Sequence, residues 1–324
     1  MRLVTYVRAG DERKRQRIGA IRAGGQSIVD LQAASEALRG RGNACFENMI
    51  AFLAGRSAAR LEAQELLERA PESCRLPLTE ARLLAPVPRP LTLRDTMCYE
   101  QHFINAKKIG QQMLLGQDVT QMPEDSFKPP KVWYEMPLFY KGNVNAVIGT
   151  DEEVAFPEGE MFKDYELELA FYISKEGMNI NARDAMDHVG GFTILNDFSA
   201  RFIQTRESHN EIGLGPAIGK DFATAMGPCM VTPDEFDPGN AVMIVRVNGE
   251  ERGRGNSGSA YYSIADVIEY ISTGTTLYPG DVIATARWAS VPASRSAGRW
   301  SSATSSSSRS RVSGCCATGS WRPG

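Results

Sequence analysis

The stretch KDYELELAFYI, residues 163–173, constrains the fold of this chain more than any other. Its strict alternation has the period of a β-strand, so Glu166, Glu168 and Ala170 share one face while Leu167, Leu169 and Phe171 share the other. Two carboxylates at this spacing stand about 6–7 Å apart at the backbone. On a solvated face they need no further cause. Among apolar and aromatic neighbours the charges repel, and a hard divalent cation bound through carboxylate oxygens relieves that repulsion. The segment alone leaves both readings open.

A third acid follows in GGFTILNDFSARFIQ (190–204), where an apolar strand reaches Asp197. An ionised Asp after such a run is costly unless paired or coordinated. Arg201 and Gln204 come next at helical spacing. They could present planar donors to a substrate carboxylate or carbonyl, or Arg201 could simply neutralise Asp197. The Gly-rich GLGPAIGKDFATAMGP (213–228) presents Lys220 without the spacing of a nucleotide phosphate loop. Lys220 is either a surface cation or a group that polarises a developing enolate. Of the three histidines, His102, His188 and His209, the first lies in RDTMCYEQHFINAKK between an expected strand and helix. It serves structure or proton transfer.

The rest of the chain sets the frame. Residues 1–82 read as a small α+β module, with a strand at MRLVTYV, a hairpin at IGAIRAGGQSIVDL and helices around 31–55 and 58–70. LLAPVPRPLTL (83–93) is a linker or an irregular strand. From there to residue 285 the pattern is mostly β, punctuated by Gly and Pro, with a few helices such as Ile264–Ser272; it predicts a curved, mostly antiparallel sheet and an α+β class. A net charge of −3 gives no bulk attraction to nucleic acid or a membrane surface. No apolar run is long enough to span a bilayer, and the charged N-terminus does not suit a secretory signal, so the cytoplasm is the expected location. Cys45, Cys74, Cys98 and Cys229 lack zinc-type spacing and are expected to be reduced thiols.

Taken together, DYELELAF, ILNDFSARFIQ, GLGPAIGKDFATAMGP with VTPDEF, EQH, VNGEERGRGN and LYPGDVIAT resemble the fumarylacetoacetate hydrolase superfamily, in particular its bacterial branch, over residues 90–285. The resemblance implies a mixed β-roll catalytic domain over 83–285, usually assembled as a homodimer. It implies that Glu166, Glu168 and Asp197, with Asp95 as a further acid, hold Mg2+, Mn2+ or Ca2+, and that His102 is the general base. Arg201, Gln204 and Lys220 are then expected to bind substrate and stabilise an enolate, with Tyr140 and Thr224 lining the site. The implied reaction is hydrolysis of a C–C bond in a fumarylacetoacetate- or acylpyruvate-like oxo-acid. Decarboxylation, hydration or isomerisation at the same site, or an inactive metal-binding remnant, are the alternatives. Phe198, Phe202 and Met97 depart from the family pattern, where Trp, an acid and a substrate-binding Tyr are usual, and they weigh against the fumarylacetoacetate substrate itself.

After Thr285 the chain contains no Asp, Glu or Lys and is dominated by Ser, with Arg, Ala, Gly, Trp and the pair Cys315 and Cys316. Family members continue instead with a loop Thr, a Glu that orients the catalytic His, and a closing strand. With codons from a GC-rich set, ATSSSSRSRVSGCCATGSW (303–321) read two bases on becomes DVVELEVEGVGVLRNRVV, an alternating strand like that closing segment. TARWASVPA (285–293) is compatible with TGTVGVGSG once one base is restored. The expectation is a single-base deletion near the codons for Thr285 and Ala286, leaving residues 286–324 poorly ordered. Resequencing the gene across these codons checks it: bases that cannot encode the alternating strand in the shifted frame remove the idea.

Overall fold

The computed structural model describes residues 1–208 and 215–289. The N-terminal part contains β1 (Arg2–Arg8), β2 (Arg17–Ile21), β3 (Ser27–Asp30), α1 (Leu31–Arg39), α2 (Met49–Ala54), α3 (Arg56–Arg69), β4 (Arg75–Pro77) and β5 (Ala81–Leu83). The expected hairpin is β2–β3, and the helical stretch at 31–55 is broken into two short helices. Asp30 ends the hairpin and starts α1: its side chain accepts from the Ala33 amide, from Tyr6 at 2.9 Å and from Arg17 at 2.7 Å, so this buried carboxylate is fully partnered. Helix α1 stops at Gly40, whose φ of 71° gives the left-handed cap that a residue with a Cβ resists.

The larger part contains β6 (Leu93–Thr96), α4 (Glu100–Leu115), β7 (Phe139–Lys141), β8 (Val147–Ile148), β9 (Lys163–Ile173), β10 (Val189–Ala200), α5 (Arg201–Ser208), β11 (Thr224–Met226), β12 (Met230–Val231), β13 (Val242–Val247), β14 (Glu250–Asn256), α6 (Ile264–Ile271) and β15 (Val282–Ala289). One sheet carries the order β4-β3-β2-β1-β12-β10-β9-β15-β6-β7, with β5, β8 and β11 attached at its sides, while β13 and β14 form a separate hairpin. Most pairs are antiparallel; β15–β6 and β11–β8 are parallel. The sheet thus runs without a break from the N-terminal strands, through β1–β12–β10, into the larger part. The mostly-β α+β class matches the sequence expectation. Helix α6 covers Ile264–Ile271 and is started by Ser263 and Asp266, which cap each other's backbone reciprocally.

Strands β9 and β15 lie at the centre and are buried on both faces. Ala170, Tyr172, Val282 and Ala284 join one apolar cluster with Leu53, Phe52 and Leu3, whereas Leu169, Phe171 and Ile283 join another under α6 and β13. Strand β15 continues to Ala289, pairing with β9 as far as Glu166, so the loss of order expected from residue 286 does not begin there: the backbone pairing of a buried central strand holds residues 286–289. The remainder of the expected disordered tail lies outside the described residues, as does His209.

Ala170 and Ala284 sit opposite each other, fully buried, on the face that carries the acids. Ala170→Leu is expected to lower unfolding free energy by about 1–3 kcal/mol through overpacking. Urea denaturation measures it; an unchanged midpoint would show that the face has slack.

Candidate metal centre and active site

The sheet register collects the acids. Asp197 on β10 lies opposite Glu166 on β9. Ala284 on β15 lies opposite both Ala170 and Asp95, Asp95 lies opposite Tyr140, and Thr224 lies opposite Asp197. Cross-strand partners share a face, as do residues two apart. Asp95, Tyr140, Glu166, Glu168, Asp197 and Thr224 therefore project from one side of β6, β7, β9, β10 and β11. The same face begins as the apolar row Tyr172 and Ala170 and ends as Glu168, Glu166 and Asp164. One oxygen from each of Asp95, Glu166, Glu168 and Asp197 lies within 4.8 Å of the others, and all four residues are buried.

Two cations reach in from the ends of this face. Lys220 Nζ donates to Glu166 Oε2 at 2.6 Å and to Asp197 Oδ2 at 2.5 Å. Arg201 Nε donates to Asp164 Oδ2 at 2.7 Å, and its Nη2 lies 2.7 Å from Glu166 Oε1. Gln204 accepts from Arg201 Nη1 at 3.0 Å, and Tyr140 donates to Asp197 Oδ2 at 2.8 Å. Arg201 thus neutralises Asp164 and Glu166, and Lys220 takes the place at Asp197 that the sequence left open for Arg201. Both side chains are held by second elements. Glu160 accepts from the Phe202 and Ile203 amides at the start of α5, and Glu207 accepts from Ala217 and Gly219 in the loop before Lys220. Gly219 approaches α5 so closely that a Cβ there would meet the Gln204 backbone at 2.6 Å.

His102 stands in the first turn of α4, buried, with Nε2 3.7 Å from Glu166 Oε1. Burial pushes its imidazole down to about 4, and the charges of Arg201 and Lys220 push the same way against Glu166, so the ring is neutral near pH 7. Its Nδ1 has no hydrogen-bond partner among the described residues. The turn that carries it is fixed by aromatic groups: Trp133 Nε1 donates to the Met97 carbonyl at 2.9 Å, and Tyr134 donates to Glu100 at 2.5 Å.

Asp95 Oδ1, both Glu168 oxygens and Asp197 Oδ1 are buried with no hydrogen-bond partner among the described residues. Burial, followed by the mutual repulsion of the acids, holds the Asp95 and Glu168 carboxyls well above the usual range; Asp197 is raised as well, with burial as the leading cause and Lys220 opposing it. Burial also acts against the charge on Glu166, but Lys220, Arg201 and His102 outweigh it and keep that carboxyl well below the usual range. A cluster of converging, unpartnered carboxylate oxygens without a thiol fits a hard divalent cation such as Mg2+, Mn2+ or Ca2+.

All ten residues singled out from the sequence lie on this face or on the elements over it. Asp164, Glu160 and Glu207 were not singled out. Asp164 was legible, because the alternation that selects Glu166 and Glu168 includes the residue two places earlier; the two glutamates carry no local signal. Phe198 points to the reverse face, where its ring meets Phe156 edge-on at 6.0 Å, so this departure from the family pattern lies away from the acids.

A family model described as fumarylacetoacetate (FAA) hydrolase C-terminal matches residues 92–305. The mitochondrial oxaloacetate tautomerase FAHD2A of Homo sapiens is 35% identical over 213 residues, 65% of this chain and 60% of that protein. The oxaloacetate tautomerase YisK of Bacillus subtilis (strain 168) is 34% identical over 213 residues, 64% of this chain and 62% of that protein. This chain therefore aligns with about three fifths of the length of these curated relatives. Among solved structures, maleylpyruvate hydrolase from Sphingobium sp. SYK-6 in complex with manganese (II) ion and pyruvate shares the fold, with a TM-score of 0.61 at 24% identity over 88% of each chain. Among the described residues no helix is long and apolar enough to cross a membrane.

Because Asp95 and Glu168 retain protons above the ordinary carboxylate range, a cation must displace protons to bind. Affinity for Mg2+ or Mn2+ is therefore expected to rise as the pH rises, with net proton release, and Glu168→Gln to weaken it at least tenfold. Calorimetry in two buffers of different ionisation heat measures both; pH-independent binding without proton release contradicts this account.

Proposed function

This chain belongs to the fumarylacetoacetate hydrolase superfamily, and we propose that it is a divalent-metal-dependent enzyme interconverting the keto and enol forms of a small 2-oxo dicarboxylic acid of the oxaloacetate kind. The observation that carries this reading is a buried, neutral His102 beside four converging carboxylates. Asp95, Glu166, Glu168 and Asp197 would hold the cation, which when bound supplies Lewis-acid polarisation of the oxo group. His102 Nε2 accepts a proton from the carbon next to that group and returns it to the oxygen, so a C–H bond breaks, an O–H bond forms and no water is consumed. Lys220 and Arg201, fixed by Asp197, Glu166 and Asp164, set a positive field against the charge that develops on the oxygen. Thr224 and Tyr140 line the same face.

One observation supports this reading over C–C hydrolysis, which the sequence places first. Curated relatives at 34–35% identity are named oxaloacetate tautomerases. Hydrolysis remains the second reading, supported by the fold shared with maleylpyruvate hydrolase.

With Mg2+ or Mn2+ present, decay of enol-oxaloacetate followed by ultraviolet absorbance is expected to accelerate. His102→Gln should lower the rate by about 10²–10⁴-fold, and Glu168→Gln should abolish the metal dependence. The acid limb of the rate profile is expected below the ordinary histidine range, because protonating His102 removes the base. Release of pyruvate from an acylpyruvate without enol turnover would replace the tautomerase reading with the hydrolase one.

A further inference from the structure

A cleft about 330 Å³ in volume opens at the far end of the β9–β10 ladder. Ile173 and Val189 pair at that end and Glu166 and Asp197 at the other, so roughly 20 Å of strand separates the cleft from the acidic centre. Its walls include Leu53, Gly190, Asp187 and, from the start of α3, Arg56, Ser57 and Arg60. Arg56 and Arg60 are one helical turn apart, a spacing at which like charges repel. Neither guanidinium has a hydrogen bond or an ion pair among the described residues; Asp234, which lies 3.7 Å from the chain's amino terminus, feels Arg60 only through space. Arg56 moreover adopts φ 50°, a left-handed conformation that side chains with a Cβ rarely take, and it does so where α2 breaks into α3. The floor is closed rather than loose, since a Cβ on Gly190 would meet Leu53 Cδ2 at 2.4 Å.

We propose that this cleft is a binding site for a small oxyanion, a carboxylate or a phosphate, taken between the Arg56 and Arg60 guanidiniums and the Ser57 hydroxyl. Guanidinium forks match the paired oxygens of both groups. The first turn of α3 adds amide donors, because its cap, Gly55, has no side chain to satisfy them. Asp187 on the same wall, and Asp234 acting on Arg60 through space, offset part of the positive charge, which favours a ligand that brings a hydrogen-bond donor as well as its negative charge. The bound anion relieves the repulsion between the two arginines without involving the metal centre.

Calorimetry at low ionic strength, with inorganic phosphate and with succinate as probes, tests the site on the full chain. At least one probe is expected to bind, and the Arg56→Gln/Arg60→Gln protein to bind it at least tenfold more weakly, with its melting temperature and oxo-acid turnover unchanged. Binding of phosphate alone identifies a phosphorylated ligand, and binding of succinate alone a carboxylic one. If neither probe binds, or if the doubly substituted protein binds as the parent does, the proposal is overturned. Should the double variant melt lower than the parent, Arg60→Lys, which keeps the charge but loses the fork, decides between the same two outcomes.

Discussion

The interaction on which the structure turns is the repulsion among carboxylates held on one dry face of the sheet. Asp95, Glu166, Glu168 and Asp197 come from three strands that register brings into line, and none of them reaches solvent. Lys220 and Arg201 neutralise only part of that charge, because their contacts go to Asp164, Glu166 and Asp197 and leave Asp95 and Glu168 facing each other. An isolated pair of this kind is expensive in a low-dielectric interior. Protons held on Asp95 and Glu168, or a cation that displaces them, relieve that cost, and the proposed chemistry follows from the second way.

Much of the surrounding structure serves to keep this arrangement fixed. Ala170 and Ala284 keep the middle of the acidic face thin, where it passes from the acids to the apolar cluster on the same side of the sheet. Glu160 and Glu207 grip the two ends of α5 and the loop before Lys220, so that Arg201 and Lys220 enter from fixed directions. The aromatic block of Trp133 and Tyr134 does the same for the turn between Asp95 and His102. These contacts touch no reacting atom, yet they set the geometry on which pre-organised electrostatics depends.

The parts of this site that follow the strand period could be read from the sequence. Alternation in 163–173 places Glu166 and Glu168 together, and the apolar run to Asp197 marks a third buried acid, because such patterns reflect local backbone geometry. Partner choice was not legible: nothing near Arg201 says that it meets Asp164 and not Asp197, since that depends on a register between two strands more than thirty residues apart. The contributions of Glu160 and Glu207 are long-range for the same reason. The break between α2 and α3 falls beside the gap left between the helical stretches at 31–55 and 58–70, but the left-handed conformation of Arg56 was not legible, because a single such residue leaves no periodic trace.

Strand β15 contributes no carboxylate, yet among the described residues it alone bridges β6, which bears Asp95, and β9, which bears Glu166 and Glu168. During synthesis the two halves of the pocket emerge long before the piece that must be slotted between them. Until Val282–Ala289 leaves the ribosome, the edges of β6 and β9 remain unpaired and the acids stay apart. Maturation of the pocket is thus postponed to the arrival of β15, and in that interval the nascent chain is exposed to pairing with a neighbour.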